Sequence, residues 1–416
     1  MSAPYDRSET RTYHAREHAL FRDFKAIVSV AKPRAAALRR QMRGVDVASI
    51  KKREDLARIP VLRRADLLAA QNEEPPFGGY VATRPSALKR VTLAQGGLFA
   101  PEGYARDWWG SERALYAAGV IKGDVILNCF TYHLSPFGHM IESGANNMGC
   151  AVIPAGVGEI DTQVEVIHHL KPTVYCGPLD WLFALLERGA SLNRDVSSLT
   201  KAVVPTGALN ETQRADLAYK GISAQQIYIH SDIGVIAYET RDPEGRVVDG
   251  MIVNEGLILE IVAMGKERAL PAGDIGEVVI TRLNTDYPLL RYATGDLSFV
   301  LDGPSPCGRT NQRIKGCLGR VEDTALVNGE LIHAHQIAAI HRAHPDIPAM
   351  RLVVLNMAGR DTFFLQIEAQ RVTQDLADQL AQNVRTHLGI NVEIDVFVPG
   401  TLPHDGHYIR DERIAR

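Results

Sequence analysis

One turn in the second half of the chain has the residue types that bind a pair of neighbouring hydroxyl groups. Residues 286–297 read DYPLLRYATGDL, an apolar run that leads into the turn Thr294-Gly295-Asp296. An ionised aspartate at a turn accepts hydrogen bonds from two neighbouring hydroxyls, and glycine lets the backbone approach a ligand closely. A plain turn after a strand explains the same residues, so the surrounding sequence has to decide between binding and structure.

A histidine in an aromatic segment is a second candidate. Residues 128–138 read NCFTYHLSPFG, with His133 directly after Tyr132 and four residues before Phe137. An imidazole can act as a general base when it reaches the proton of a bound substrate. Simple lining of a pocket explains His133 equally well, so both interpretations stay open.

Several segments, taken in order, resemble the phenylacetate–CoA ligases, a branch of the adenylate-forming enzymes. Residues 291–297 are similar to the ribose-binding motif of that family, and residues 307–309 are similar to a Cys-Gly-Arg knuckle that follows it. Residues 319–323, Gly-Arg-Val-Glu-Asp, resemble the hinge, and residues 327–337 resemble the start of the C-terminal domain. The resemblance runs from about residue 50 to the C-terminus, and its specificity lies in the order and spacing of the segments.

The resemblance implies a site for ATP and AMP. Asp296 would hold the ribose hydroxyls, and Arg320 would contact the ribose or a phosphate. Tyr228 would stack on the adenine, and the backbone of Gly207 and Ala208 would lie along it. These roles come from the family and not from the spacing itself.

The resemblance also implies two further substrates and a moving small domain. Tyr132, His133 and Phe137 would frame an aryl or other apolar carboxylic acid, which is activated as an acyl adenylate and passed to coenzyme A. Mg²⁺ held by Asp232 would offset charge on the phosphates. The small domain would turn about Asp323 between the two half-reactions.

The phosphate-binding loop departs from the family pattern. The family has a run rich in serine, threonine and glycine that ends in lysine, whereas residues 94–103 read AQGGLFAPEG. Gly96 and Gly97 keep a tight turn, but the hydroxyls and the lysine are absent. Phosphate loops work through backbone N–H groups and flanking hydroxyl or cationic groups. The sequence therefore predicts a poor phosphate cradle, in which Glu102 repels a triphosphate.

Two further positions are altered. Residues 228–232 read Tyr-Ile-His-Ser-Asp where the family has Tyr-Gly-x-x-Glu. Ile229 thus replaces a glycine, and the magnesium carboxylate shortens to Asp232, which is still a competent ligand for a hard cation. Near the C-terminus His407 stands where the family has a lysine that neutralises the carboxylate and the α-phosphate. An imidazole is a weaker clamp at neutral pH.

The departures leave two functions open. One is an AMP-forming acid–thiol ligase of the phenylacetate–CoA ligase type, with His407, Asp232 and His133 as catalytic residues. The other is a degenerate homologue that binds an adenylate, an acyl-CoA or a partner protein without ATP-driven ligation. The retained Asp296 and hinge favour the first function, and the altered loop favours the second.

Composition limits the partners and the compartment. The 416 residues carry a formal net charge of -3, which gives no reason to expect nucleic acid or an anionic membrane as a partner. The N-terminus lacks the apolar core of a secretory signal, and no apolar run approaches the about 18–20 residues of a membrane span. Five scattered cysteines predict reduced thiols. We therefore expect a cytoplasmic protein, and assembly as a homodimer stays open.

Alternating apolar strands and helices in the middle of the chain predict the scaffold of the site. Strands are predicted at 151–154, 173–176, 201–205 and 226–229, and helices between them at 162–169, 179–188 and 211–219. Such alternation predicts a mostly parallel sheet that is covered by helices on both faces.

The pattern changes twice towards the C-terminus. Strands at 257–264, 276–281 and 297–301 predict an antiparallel, barrel-like part. From residue 319 a strand pair, two helices and three further strands predict a small α+β unit. The predicted fold class is α/β, with a large N-terminal adenylate-forming core domain at 1–318 and a small mobile C-terminal domain at 319–416, joined by a hinge.

Overall fold

The chain folds into helix-covered sheets that are followed by a smaller α+β unit. The computed structural model describes residues 3–94, 96–207, 209–357, 360–403 and 405–413. Its α-helices are α1 (Tyr13–Ala31), α2 (Ala36–Gln41), α3 (Arg64–Glu73), α4 (Ser111–Ala117), α5 (Phe137–Asn147), α6 (Ile160–Leu170), α7 (Leu179–Ser191), α8 (Glu211–Tyr219), α9 (Ala334–Arg342) and α10 (Gln374–Leu388). Within the described ranges, none of the helices has the length and apolarity to cross a membrane.

Across the described residues, the strands fall into three larger sheets and two hairpins. They are β1 (Arg90–Leu93), β2 (Phe99–Glu102), β3 (Val125–Asn128), β4 (Ala151–Pro154), β5 (Val174–Cys176), β6 (Lys201–Pro205), β7 (Ser223–His230), β8 (Gly234–Tyr238), β9 (Met251–Val253), β10 (Leu257–Val262), β11 (Gly276–Arg282), β12 (Leu289–Ser298), β13 (Val300–Leu301), β14 (Arg313–Ile314), β15 (Gly319–Arg320), β16 (Thr324–Val327), β17 (Glu330–His333), β18 (Met350–Met357), β19 (Arg360–Glu368), β20 (Glu393–Phe397) and β21 (Ile409–Asp411).

The central sheet has the strand order β13-β14-β9-β8-β7-β6-β5-β3-β4. Strands β3 to β7 pair in parallel, and β8 joins β7 antiparallel. Strand β5 is buried throughout, because Ile167 and Leu182 cover one face and Leu115 and Ile141 belong to the core on the other. In open parallel sheets, ligands bind outside the carboxyl ends of the strands. A ligand-binding site is therefore expected at the carboxyl ends of the parallel strands, which include β6 and β7.

The barrel-like sheet has the order β10-β11-β12-β15 and is antiparallel. Strand β12 contains the residues 291–297 that the sequence singled out, and nearly all of them are buried. Helix α1 packs beneath this sheet, since Leu20, Phe24 and Val28 share a core with Ile258 and Leu290. This spacing of four residues is the apolar stripe of an amphipathic helix.

The C-terminal unit has its own core. Strands β18 to β21 form a sheet of order β20-β19-β18-β21, and β16 pairs with β17. Helices α9 and α10 pack on it through residues such as Ile337 and Leu380, which share a core with Leu352 and Leu365.

The predicted fold class is confirmed, and β4, β6 and α8 have the predicted bounds. Strands β2, β8, β9 and β21 are among those that were not predicted. The division into domains at 318 and 319 stays a prediction. Strand β15 pairs Arg320 with Asp296 of β12, so this part of the predicted hinge hydrogen-bonds to the barrel-like sheet.

Candidate functional site

A cavity of about 550 Å³ lies at the carboxyl ends of β6 and β7, next to β12. It brings together residues that are far apart in sequence and that the resemblance assigned to one site. Those residues are Gly96, Phe137, Tyr228, Asp296, Arg320 and Asp323.

The carboxylate of Asp296 is fixed from two sides. The hydroxyl of Tyr228 donates a hydrogen bond of 2.7 Å to Oδ2, and Nη1 of Arg320 lies 3.2 Å from Oδ1. The backbone N–H of Asp296 donates to the hydroxyl of Thr294. Only 5% of Asp296 is exposed, at the cavity wall. A buried carboxylate that is held in this way is a pre-oriented acceptor for hydroxyl groups.

Tyr228 is buried on β7, and its hydroxyl points at Asp296. Burial, together with the Asp296 charge, raises the pKa of this phenol well above its ordinary value. The phenol therefore remains a hydrogen-bond donor at neutral pH. In this arrangement Tyr228 orients the carboxylate, in addition to the stacking role that the resemblance assigned to its ring.

The end of β6 reaches the cavity through its last residues. Pro205 and Thr206 line the wall, and the backbone N–H of Thr206 donates to the carbonyl of Ile227. Gly207 follows with a φ of 82°, a conformation that favours glycine. Ala208 lies outside the described residues. The roles of Gly207 and Ala208 beside an adenine stay predictions.

The altered loop forms the tip of the β1–β2 hairpin. Gly96 and Gly97 have φ values of 74° and 88°, and the N–H of Gly97 donates to the carbonyl of Ala94. Gly96 lines the cavity, whereas Gly97 is not among its described lining residues. Two successive left-handed residues turn the chain sharply, which explains why glycine is required at both positions.

Glu102 does not act as the sequence predicted. Its side chain is fully buried, with Nζ of Lys89 at 3.0 Å and Nη1 of Arg90 at 2.8 Å. The two cations compensate the charge of the carboxylate. The prediction that Glu102 repels a triphosphate is therefore wrong. Sequence reasoning missed this because a charge in isolation says nothing about its partners.

The predicted acid pocket is only partly assembled at this cavity. Phe137, at the start of α5, lines it. Tyr132 instead accepts a hydrogen bond from the amide of Asn128, and its ring packs against Gly138. His133 is exposed to solvent. Neither Tyr132 nor His133 is among the described lining residues, so their roles in acid binding and base catalysis stay predictions.

Asp232 is a poor fit for a magnesium ligand. Only 1% of it is exposed, and its Oδ2 accepts a hydrogen bond of 2.7 Å from the hydroxyl of Tyr292. It is not among the described lining residues of the cavity, although its neighbours His230 and Ser231 are. Among the described residues there is also no cluster of three histidine, cysteine or acidic side chains that could hold a metal ion. Its role as a metal ligand stays a prediction.

The chain is similar in sequence to several phenylacetate–coenzyme A ligases. The chain is 27% identical over 395 residues to a phenylacetate–coenzyme A ligase of Thermus thermophilus, covering 86% of this chain and 87% of the relative. Relatives of that name from Aromatoleum evansii and Escherichia coli are each 25% identical, covering 86% of this chain and 84% and 85% of theirs. The chain is a homologue of the phenylacetate–CoA ligases. No family model matches it.

Solved structures agree with this homology at the level of the fold. A 2-hydroxyisobutyryl-CoA ligase in an open conformation with 2-HIB-AMP and CoA superposes with a TM-score of 0.75 and 22% identity, covering 98% of this chain and 94% of that chain. The same ligase in its thioesterification state gives 0.71, covering 97% and 91%. The chain thus has the fold of that ligase along nearly its whole length.

In this homologue the altered C-terminal position lies at the predicted hinge. Nδ1 of His407 is 3.4 Å from Oδ1 of Asp323, which itself lines the cavity. Asp405 accepts the backbone N–H of His407, and Asp405 also pairs with Arg351. His407 is therefore held next to Asp323 at the cavity wall through polar contacts.

Sequence reasoning missed several polar residues of the cavity wall. His230 and Ser231 lie inside the segment 228–232, so that segment itself could have identified them. Arg64, at the start of α3, had no motif around it. Only the fold brings its guanidinium beside the glycine turn of the β1–β2 hairpin.

Proposed function

We propose that the protein is an AMP-forming acid–thiol ligase, which activates a carboxylic acid as an acyl adenylate and transfers the acyl group to coenzyme A. The observation that supports this most is the carboxylate of Asp296, which Tyr228 and Arg320 orient at the wall of one cavity. The names of its relatives, and the 2-HIB-AMP and CoA bound to the structural neighbour, support the same reaction class.

In the first half-reaction, a carboxylate oxygen of the acid attacks the α-phosphorus of ATP. The bond from that phosphorus to the bridging oxygen of pyrophosphate breaks, and the acyl adenylate forms. Asp296 would hold the ribose hydroxyls and so fix the α-phosphate in line with the acid. Positive groups such as Arg320 would stabilise the negative charge that develops on the phosphoryl oxygens.

In the second half-reaction, the sulfur of coenzyme A attacks the carbonyl carbon of the adenylate. The bond from that carbon to the AMP oxygen breaks, which releases acyl-CoA and AMP, while the thiol proton passes to solvent. We propose that Asp323 is the residue about which the C-terminal unit turns between the two steps. Such a turn would exchange the loop around His407 for another surface at the cavity.

We propose an apolar acid as the substrate. Phe137, Ile227 and Ile229 give the cavity apolar surface next to the polar residues that would bind the nucleotide. Ile229 takes the place of a glycine in the family, so its side chain narrows the space for the acid. An aryl acid or a smaller aliphatic acid would suit such a surface.

Pyrophosphate release tests the proposed function directly. The purified protein would be offered ATP, Mg²⁺ and coenzyme A with single acids from a panel of aryl, fatty and amino acids. We expect pyrophosphate with at least one apolar acid, and the matching acyl-CoA by mass spectrometry. Omitting the acid is the control for ATP hydrolysis. Absence of pyrophosphate with every acid would contradict the ligase function.

The burial of Asp232 favours a second function, in which the protein binds an adenylate without making it. A ligase of this family is expected to use that carboxylate for its metal ion, and here it is 1% exposed. Calorimetry with AMP and with a non-hydrolysable acyl adenylate separates the two functions. Tight binding of both, combined with no pyrophosphate from any acid, would support the binding protein and overturn the ligase.

A further inference from the structure

The phosphate end of the proposed site needs positive charge that its loop does not supply. Residues 94–103 contain no lysine, arginine, serine or threonine. A leaving pyrophosphate carries several negative charges, and enzymes that transfer adenylyl or phosphoryl groups stabilise them with cations and backbone N–H groups. If ATP binds here, a cation from another part of the chain must lie close to its phosphates.

Arg64 lies where such a cation is required. A Cβ built on Gly96 would be 3.4 Å from Nη2 and 3.5 Å from Nη1 of Arg64, so the guanidinium lies against the glycine turn. Both residues line the cavity that contains Asp296. An arginine stays protonated in proteins, and its planar fork matches the geometry of phosphate oxygens.

The backbone before Arg64 is anchored to the strand that carries Asp296. The N–H of Leu62 donates to the carbonyl of Arg291, and the N–H of Ala293 donates to the carbonyl of Leu62. Arg64 then begins α3, which packs on β12. The start of α3 is thus fixed relative to Asp296, which lies further along the same strand.

We propose that Arg64 binds the β- and γ-phosphates of ATP at the turn of Gly96 and Gly97, and so replaces the cation that the altered loop lacks. The inference rests on the proposed function and specifies its phosphate contact. Arg320 lies beside Asp296, near the ribose and the α-phosphate of the proposed nucleotide, which leaves Arg64 for the β- and γ-phosphates beyond it. The carboxylate of the acid is the other anion that Arg64 could bind, and the experiment separates the two.

Calorimetric titration with AMP and with non-hydrolysable ATP tests the inference. We expect Arg64→Gln to weaken ATP binding roughly ten- to a hundredfold, the value of one charge-assisted contact, and to change AMP binding less than about threefold. Arg64→Lys should lose less ATP affinity than Arg64→Gln, because it keeps the charge but not the planar fork. Arg58→Gln is the matched control, since Arg58 is a largely exposed arginine that pairs with Asp55 outside the cavity.

The outcomes are distinguishable. AMP binding by Arg64→Gln shows that the variant is folded, so unchanged ATP binding by the same protein would overturn the inference while the proposed ligase stands. Equal loss of AMP and ATP would also overturn it, because Arg64 would then act on the nucleoside part of the site. Unchanged ATP binding with a raised KM for the acid would assign Arg64 to the acid carboxylate instead. A wild-type protein that binds no ATP would contradict the proposed function itself.

Discussion

At the scale of single residues, the site depends on the orientation of one carboxylate. Asp296 is nearly buried, and each of its oxygens faces a donor: the hydroxyl of Tyr228 for one and the guanidinium of Arg320 for the other. Orienting an acceptor before the ligand arrives removes part of the entropic cost of binding. Because the carboxylate is buried, a substitution that removes its charge should weaken the hydrogen bonds that it accepts.

Asp296→Asn should weaken AMP binding roughly ten- to a hundredfold, since hydrogen bonds to a charged group are worth about 1.5–3 kcal/mol each. The amide has nearly the same shape and can still accept from Tyr228, so the fold should persist. Calorimetry with AMP measures the effect, and melting temperature checks the fold. Asp274→Asn is the control, because Asp274 is exposed. An unchanged AMP affinity would show that Asp296 does not bind the ribose.

At the scale of elements, α4 begins on a carboxylate with an unusual environment. Oδ1 of Asp107 accepts the N–H groups of Ser111 and Glu112, which satisfies donors at the start of the helix. Burial, and then the charge of Glu112, raise the pKa of Asp107 to about 6. Helix α4 packs on β8 and on α5, whose first residue, Phe137, lines the cavity.

The Asp107 carboxyl should make stability depend on pH. Its folded pKa lies above the unfolded value, so the folded state binds the proton more tightly. The resulting stabilisation is present below about pH 4 and is lost as pH rises through about 6, by up to about 3 kcal/mol.

Urea unfolding of wild type and Asp107→Asn between pH 4 and 7 measures this loss. We expect the free energy of unfolding of the wild type to fall relative to the variant as pH rises, because the neutral amide caps the helix at every pH. Asp161→Asn serves as the control, because Asp161 is exposed and forms an ion pair with Arg188. Parallel curves for wild type and Asp107→Asn would contradict the assignment.

At the scale of the whole molecule, the first residues are tied to the core by a buried acid. Glu9 is fully buried, and its carboxylate accepts from Nε of Arg309 at 2.8 Å and from the hydroxyl of Tyr238. These contacts join the N-terminal turn, the Cys-Gly-Arg segment and strand β8. A buried ion pair of this kind is costly to break because the remaining charge is left uncompensated.

Glu9→Gln should therefore reduce the free energy of unfolding by about 3–5 kcal/mol. Chemical denaturation followed by circular dichroism gives the value. Glu54→Gln is the comparison, since Glu54 is an exposed partner of Lys52. Equal free energies of unfolding for the two variants would show that the buried contacts of Glu9 do not stabilise the fold.

The contact between His407 and Asp323 connects the C-terminal unit to the cavity. If the protein adenylates, His407→Ala should lower pyrophosphate release at least tenfold while sparing acyl-CoA formation from a supplied acyl adenylate. His407→Lys should retain pyrophosphate release, because it places a cation at the same position. Full activity of His407→Ala would remove the C-terminal loop from the chemistry.

The sequence by itself determined the class of fold and the order of its segments. Strands β4 and β6 and helix α8 have the bounds that local apolar runs and turn residues predict. Residues 286–297 identify the strand that carries Asp296, because a run of buried apolar residues leaves a short-range pattern. The turn expected at Thr294-Gly295-Asp296 is wrong, since these residues lie within β12, which continues to Ser298.

Only the tertiary structure decided what surrounds each functional side chain. Arg64 and Gly96 meet because α3 contacts the β1–β2 hairpin, where the side chain of Gln71 hydrogen-bonds to the backbone of Phe99, and no local pattern links them. The ion pairs of Glu102, the burial of Asp232 and the exposure of His133 also follow from how distant segments pack. Burial and charge compensation depend on atoms contributed by distant segments, and those atoms come together only when the chain has folded.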